Sequence, residues 1–191
     1  VLDCIKIGCV LMAYALVASV ALAFVNSKTL PLIEKNKTAA EKSARMEVLP
    51  DMAGDYELKD AGSAFPYWIG YRDKDKSEIG GYIFITSGTG YSSTIESMVG
   101  VDVNGIITGV QVIFQQETPG LGARAEEINY GENEPWFTRQ FKGKSLQDKV
   151  RVVHDGGVID SITGATITSR TITDSIHEGM ANLNQIVSDP A

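Results

Sequence analysis

The sequence predicts an α+β fold. A single N-terminal transmembrane helix precedes a domain with an antiparallel sheet and a C-terminal helix. Three observations carry this expectation. Residues 7–25 hold no charge, two β-branched runs flank an Asn-Gly pair, and the last stretch repeats apolar residues at helical spacing.

The uncharged run is 19 residues long, and about 18 suffice for a membrane span. Nine of the 19 are Ile, Leu, Val or Phe, which together favour insertion by roughly a few kcal/mol. Lys6 sits at the edge, where its stem can snorkel. A cleavable signal peptide is the rival, since Ala21-Leu22-Ala23 fits an A-x-A cleavage site; the span is the expectation. Cys4 and Cys9, five residues apart, point about 140° from each other on a helix. They read as small apolar residues in lipid. No other cysteine follows, so the rest of the chain has neither a disulfide framework nor a thiolate metal site. Two histidines, His154 and His177, are too few for a histidine-rich centre, and no metal site is expected.

Residues 26–54 form a polar helical linker rich in Lys, Glu and Ala, closed by Pro50 and then Gly54. Residues 55–191 form the folded domain. Its first strong strand is Gly80-Gly81-Tyr82-Ile83-Phe84-Ile85-Thr86. Residues 94–103 and 106–115 flank Asn104-Gly105, a hairpin signal. A short helix is expected in the loop that follows, where Trp136, Phe137 and Phe141 are assigned to the core. Residues 149–153 read as another short strand. In residues 166–187, Ile172, Ile176, Met180, Leu183 and Val187 trace one helical face. Helix, strands, loop, strand and helix in that order indicate α+β with an antiparallel sheet.

Composition limits the function classes. The net charge of −7 argues against nucleic-acid binding, which needs a basic stripe. With 43% hydrophobic and 21% charged residues, the chain can build a core. Lys28, Lys35, Lys37, Lys42 and Arg45 follow the span. By the positive-inside rule alone they would put the domain in the cytoplasm.

Two segments can carry chemistry. In Glu117-Thr118-Pro119-Gly120-Leu121-Gly122, the proline fixes φ and the glycines open conformations closed to other residues. The segment is either an ordinary tight turn or a loop that brings amides to a flat ligand. Asp160-Ser161-Ile162-Thr163-Gly164-Ala165-Thr166-Ile167-Thr168-Ser169 opens the C-terminal helix. Thr163 or Thr166 is a candidate N-cap there. The same stretch meets the needs of an anion site, with free amides, the positive dipole end and space at Gly164 and Ala165. It is no Walker loop, because no Gly-Lys-Ser/Thr follows.

Asp160-Ser161-Ile162-Thr163-Gly164-Ala165-Thr166 resembles the flavinylation motif D-x-x-[S/T]-G-A-T. The residue 117–122 loop, the Gly81-Tyr82-Ile83-Phe84 strand and the Val101-Asp102-Val103-Asn104-Gly105 hairpin resemble the FMN-binding domain of the RnfG family. Members of that family are the G subunits of Rnf ion-translocating electron transport complexes; NqrC of the sodium-pumping quinone reductase is related. The resemblance implies covalent FMN, linked through its phosphate to Thr166 by a flavin transferase. Asp160, Thr163, Gly164 and Ala165 are then motif residues, and Thr118, Gly120 and Leu121 lie against the ring. No side chain is implied as a catalytic acid or base. Glu117 is expected to cap its own loop. The implied partners are other membrane subunits and lipid, and the implied role is electron carriage in a ferredoxin:NAD oxidoreductase. The family places the domain on the extracytoplasmic side of the cell membrane, against the charge count; a cysteine-free domain fits that oxidising side. The alternatives are an NqrC-like component and an anchored binding module without cofactor.

Overall fold

The computed structural model describes residues 2–50, 52, 56–59 and 65–188, with side chains from residue 5. The Cys4 side chain, Gly54 and the domain start at residue 55 lie outside the described residues. Helix α1 runs Leu2–Val48 without interruption, through Pro31. The expected span and linker helix are therefore one helix. It is long and apolar enough to cross a membrane, with a mean hydropathy of 2.3 in its best window and no burial there. Four of its hydroxyls, on Ser19, Ser27, Thr29 and Thr38, bond back to the helix's own carbonyls. Ser19 Oγ donates to the Ala15 carbonyl at 2.8 Å, and Thr29 Oγ1 to the Val25 carbonyl at 3.0 Å. This suits a medium in which every polar group needs a partner within the protein.

Residues up to Glu41 form one compact unit, and residues from Lys42 onward form a second. In the second, five antiparallel strands lie in chain order: β1 Tyr56–Lys59, β2 Tyr67–Tyr71, β3 Ile79–Thr89, β4 Thr94–Asp102 and β5 Ile107–Phe114. The Asn-Gly hairpin is present. The Gly105 amide donates to the Asp102 carbonyl at 3.0 Å, and Gly105 takes φ +77°. The Asp102 carboxylate accepts from the amides of Asn104 and Ile106 at 2.9 and 2.8 Å. This is a three-residue loop ending in a left-handed glycine.

Each face of the sheet carries a helix. The last turns of α1 bury Ala44 and Val48, with Leu49 just beyond, against Ile83 and Met98. Gly100 and Gly109 face that helix end. A Cβ at Gly109 would meet the Val48 Cα at 2.9 Å, and one at Gly100 would strike its carbonyl. The Thr108 hydroxyl donates to the same carbonyl, which closes the helix end. On the opposite face lies α3, Thr166–Ser188. Ile172, Ile176, Met180 and Leu183 are buried as their spacing predicts, whereas Val187 is 39% exposed. Gly179 lets α3 approach closely, since a Cβ there would meet the Phe84 ring at 2.5 Å.

The connection from β5 to α3 contains a 3-10 turn at Gly122–Glu126 and the four-residue helix α2, Trp136–Arg139. Phe137 and Phe141 are fully buried and meet edge to face at 5.8 Å; Trp136 packs beside them. The strand expected at residues 149–153 is not formed. Val150 and Val152 are buried in alternation, as in a strand, but among the described residues no strand ladder lies beside them. One bridge pairs Val152 with Ile159, and a 3-10 turn follows at Val153–Asp155.

Candidate functional site

The two segments singled out in the sequence meet at the start of α3. Each contains the same turn. The Leu121 amide donates to the Thr118 carbonyl at 3.1 Å, and the Ala165 amide to the Ile162 carbonyl at 2.9 Å. Gly120 and Gly164 occupy the third position of these turns, each at φ +77°. That is the type II geometry, which favours glycine there. The turns lie close together. A Cβ on Gly164 would stand 3.0 Å from Leu121 Cδ2, and Leu121 is itself 42% exposed.

Beneath them sits Glu117, 6% exposed. Its carboxylate does not cap its own loop, as the sequence suggested. It turns instead to the β3–β4 turn and to α3. It accepts from the amides of Tyr91, Ser92 and Ser93 at 3.2, 2.9 and 3.0 Å. It also accepts from the Thr168 hydroxyl at 2.6 Å. The reason is steric as well as electrostatic. Gly90 and Gly122 leave the space it needs, because a Cβ at Gly90 would fall 2.6 Å from Oε1 and one at Gly122 2.8 Å from Oε2. Burial alone would raise this carboxyl. The Thr168 hydroxyl and the three amides more than offset that, and the group is held below its ordinary value. The loop's own amide at Glu117 is taken by Gln115 Oε1 at 2.7 Å. Thr118 Oγ1 lies 3.4 Å from Ser92 Oγ on the same rim.

The hydroxyls of residues 160–169 divide sharply. Thr168 is committed to Glu117. Ser169 donates to the Ala165 carbonyl at 2.9 Å and accepts from the Ile162 amide at 2.9 Å, pinning the loop to the first helical turn. Ser161 Oγ is buried. Thr163 is exposed and Thr166 half-buried. Among the described residues neither of those two hydroxyls has a hydrogen-bond partner, so neither acts as the N-cap. The amides of Thr166, Ile167 and Thr168 likewise have no acceptor among the described residues. Asp160 is held by its backbone, with its amide on Gln140 Oε1 at 2.8 Å and its carbonyl on Gln140 Nε2 at 3.2 Å.

One helical turn beyond Thr166, Arg170 is gripped by Asp155 through two bonds of 2.7 Å. Asp155 is lowered chiefly by that guanidinium. Sequence reasoning missed both this pair and the Glu117–Thr168 bond. The signal for the second was a carboxylate set between a strand end and a glycine-rich turn. Two cavities, of about 720 and 470 Å³, lie elsewhere, one beside β5 and α2 and one toward the C-terminal end of α3.

Residues 90–181 match the family model described as FMN-binding domain. That segment begins at the glycine beside Glu117 Oε1 and includes both turns and the start of α3. The G subunit of the Na(+)-translocating ferredoxin:NAD(+) oxidoreductase complex of Acetobacterium woodii is 33% identical, over 90% of this chain and 87% of the relative. The G subunit of the ion-translocating oxidoreductase complex of Erwinia tasmaniensis is 29% identical, over 90% and 85%. The fold is also that of the C subunit of the Na(+)-translocating NADH-quinone reductase of Parabacteroides distasonis, at a TM-score of 0.58 and 20% identity. That match covers 82% of this chain and 96% of the solved one. With an FMN-binding domain match and a relative 33% identical over 90% of the chain, the chain belongs to the G-subunit family of ion-translocating oxidoreductase complexes.

Proposed function

We propose that this chain is the electron-carrying flavoprotein subunit of a membrane-bound, ion-translocating ferredoxin:NAD oxidoreductase, with FMN esterified through its phosphate to Thr166. The observation that carries the attachment point is the division of hydroxyls. Thr166 is the residue of residues 160–169 that combines an unpaired hydroxyl with a place on the first turn of α3. Next to it stand three amides without acceptors and the positive end of a 23-residue helix, which together suit a phosphate diester. The residues present therefore fit the group.

When bound, FMN supplies the electron transfer; the chain supplies position and electrostatics. The amides of Thr166, Ile167 and Thr168 would hold the phosphate. Gly164, which has no side chain, and the exposed Leu121 offer a flat apolar surface beside it, with Thr118 and Gly120 at its rim. Asp160, Thr163 and Ala165 complete the segment that a flavin transferase would read. Covalent attachment makes ring docking intramolecular, with a high effective concentration. The flavin can then sit in an open site and exchange electrons with other subunits.

The apolar part of α1 anchors the domain in the membrane. We place the domain on the extracytoplasmic side, with lipid and the other subunits as its partners. The name of the Acetobacterium woodii relative supports the ferredoxin:NAD assignment.

The test is a denaturing gel under ultraviolet light of the full chain co-expressed with a flavin transferase. A fluorescent band near the 20.6 kDa position is expected, and Thr166→Ala should abolish it while the domain stays folded. A dark wild-type band, or fluorescence retained in the variant, overturns the assignment.

A further inference from the structure

Glu117 joins three stretches of chain far apart in sequence. Its partners are residues 91–93 on one side and Thr168 on the other, 51 residues downstream. Thr168 lies two residues past Thr166 on the first turn of α3, and Glu117 itself opens the loop that presents Thr118, Gly120 and Leu121. The junction is tight. A Cβ at Gly122 would meet Thr168 Oγ1 at 2.6 Å and Glu117 Cβ at 2.8 Å. A side chain buried among so many donors cannot move without leaving them unpaired.

We propose that Glu117 is the positioning residue of the flavin platform, locking the 90–93 turn, the 117–122 loop and the first turn of α3 into one unit. The mutual geometry of Thr166 and the ring-side loop is thereby fixed before any flavin is attached. The carboxylate itself stays below the surface and takes no part in electron transfer. A pre-set frame of this kind reduces the ordering cost of docking the tethered ring. Its role toward the flavin rests on the proposed attachment at Thr166, whereas the coupling of the three segments does not.

Two measurements on the full chain test this. The first needs no flavin. Glu117→Gln keeps the shape but replaces an oxygen acceptor with a donor, and Thr168→Val removes only the helix-side bond. In Glu117→Gln, amide exchange should accelerate together in residues 90–93 and at the bonded amides of Ile162, Ala165 and Ser169, at least about tenfold by local opening. Thr168→Val should produce a smaller change of the same kind. Acceleration confined to residues 90–93 would overturn the coupling, and so would no change in either variant. The second measurement uses protein whose Thr166 linkage has been verified by mass. The visible circular dichroism of the flavin should fall by more than half in Glu117→Gln, with brighter flavin emission as the ring undocks. Unchanged signals in a folded, loaded variant would overturn the positioning role while leaving the attachment intact. Should Glu117→Gln fail to fold, Thr168→Val decides both measurements. A bare Thr166 in the wild type would sink the proposed function alone, because the exchange result still stands.

Discussion

Two carboxylates grip the beginning of α3 under opposite conditions. Glu117 is buried, accepts from three amides and from the hydroxyls of Ser93 and Thr168, and so holds the start of the helix. Asp155 is exposed, meets a single guanidinium in a two-pronged pair, and holds Arg170. The Asp155 pair has the more recognisable geometry, yet water and salt compete for both of its members. Glu117 is screened far less, and the buried Thr168 hydroxyl would be left unsatisfied without it. Burial, more than ideal geometry, decides which carboxylate the platform depends on.

The sharpest way to break this comparison is truncation. Glu117→Ala should destabilise the domain by on the order of 3 kcal/mol, because it strands the buried Thr168 hydroxyl and removes the shared acceptor of three part-buried amides. Denaturant melts of the full chain would check this, and a loss no larger than that of the Asp155 variant would erase the distinction. A second effect is acid sensitivity. The folded-state value of Glu117 lies below its ordinary value. Its stabilising contribution is therefore complete above the ordinary glutamate range, about 4.3, and is lost as pH falls through the folded value. Melting temperature should drop more steeply in acid for the wild type than for Glu117→Gln, and parallel curves would contradict this. The smallest effect is expected from Asp155→Asn. It should shift melting only slightly, and less in high salt than in low salt; a large, salt-independent loss would promote Asp155 to the same rank as Glu117.

The sequence made some of this visible. The spacing from Ile172 to Leu183 located the buried face of α3, and Asn104-Gly105 located the β4–β5 hairpin, because both signals are local. Residues 149–153 misled because alternating burial of Val150 and Val152 also occurs where a chain merely crosses a core. Val187 has the right period but lies where α3 runs out toward the surface. At the candidate site, the turn glycines were legible in the sequence, and Thr166 entered as the last residue of the motif that the proposal rests on. The Glu117–Thr168 bond was not, since nothing within a few residues of either predicts a partner 51 positions away.

That separation also has a cost in assembly. Contacts between distant parts of a chain carry a larger loop-closure cost and form more slowly than local ones. Between Glu117 and Thr168 lie α2, the buried Phe137 and Phe141, and the Val152–Ile159 bridge. A short peptide copying residues 160–169 would contain every letter of the proposed attachment motif without its frame. The frame then depends on every segment between Glu117 and Thr168, and a chain that misfolds upstream would offer the proposed flavin transferase only an unframed imitation of the target.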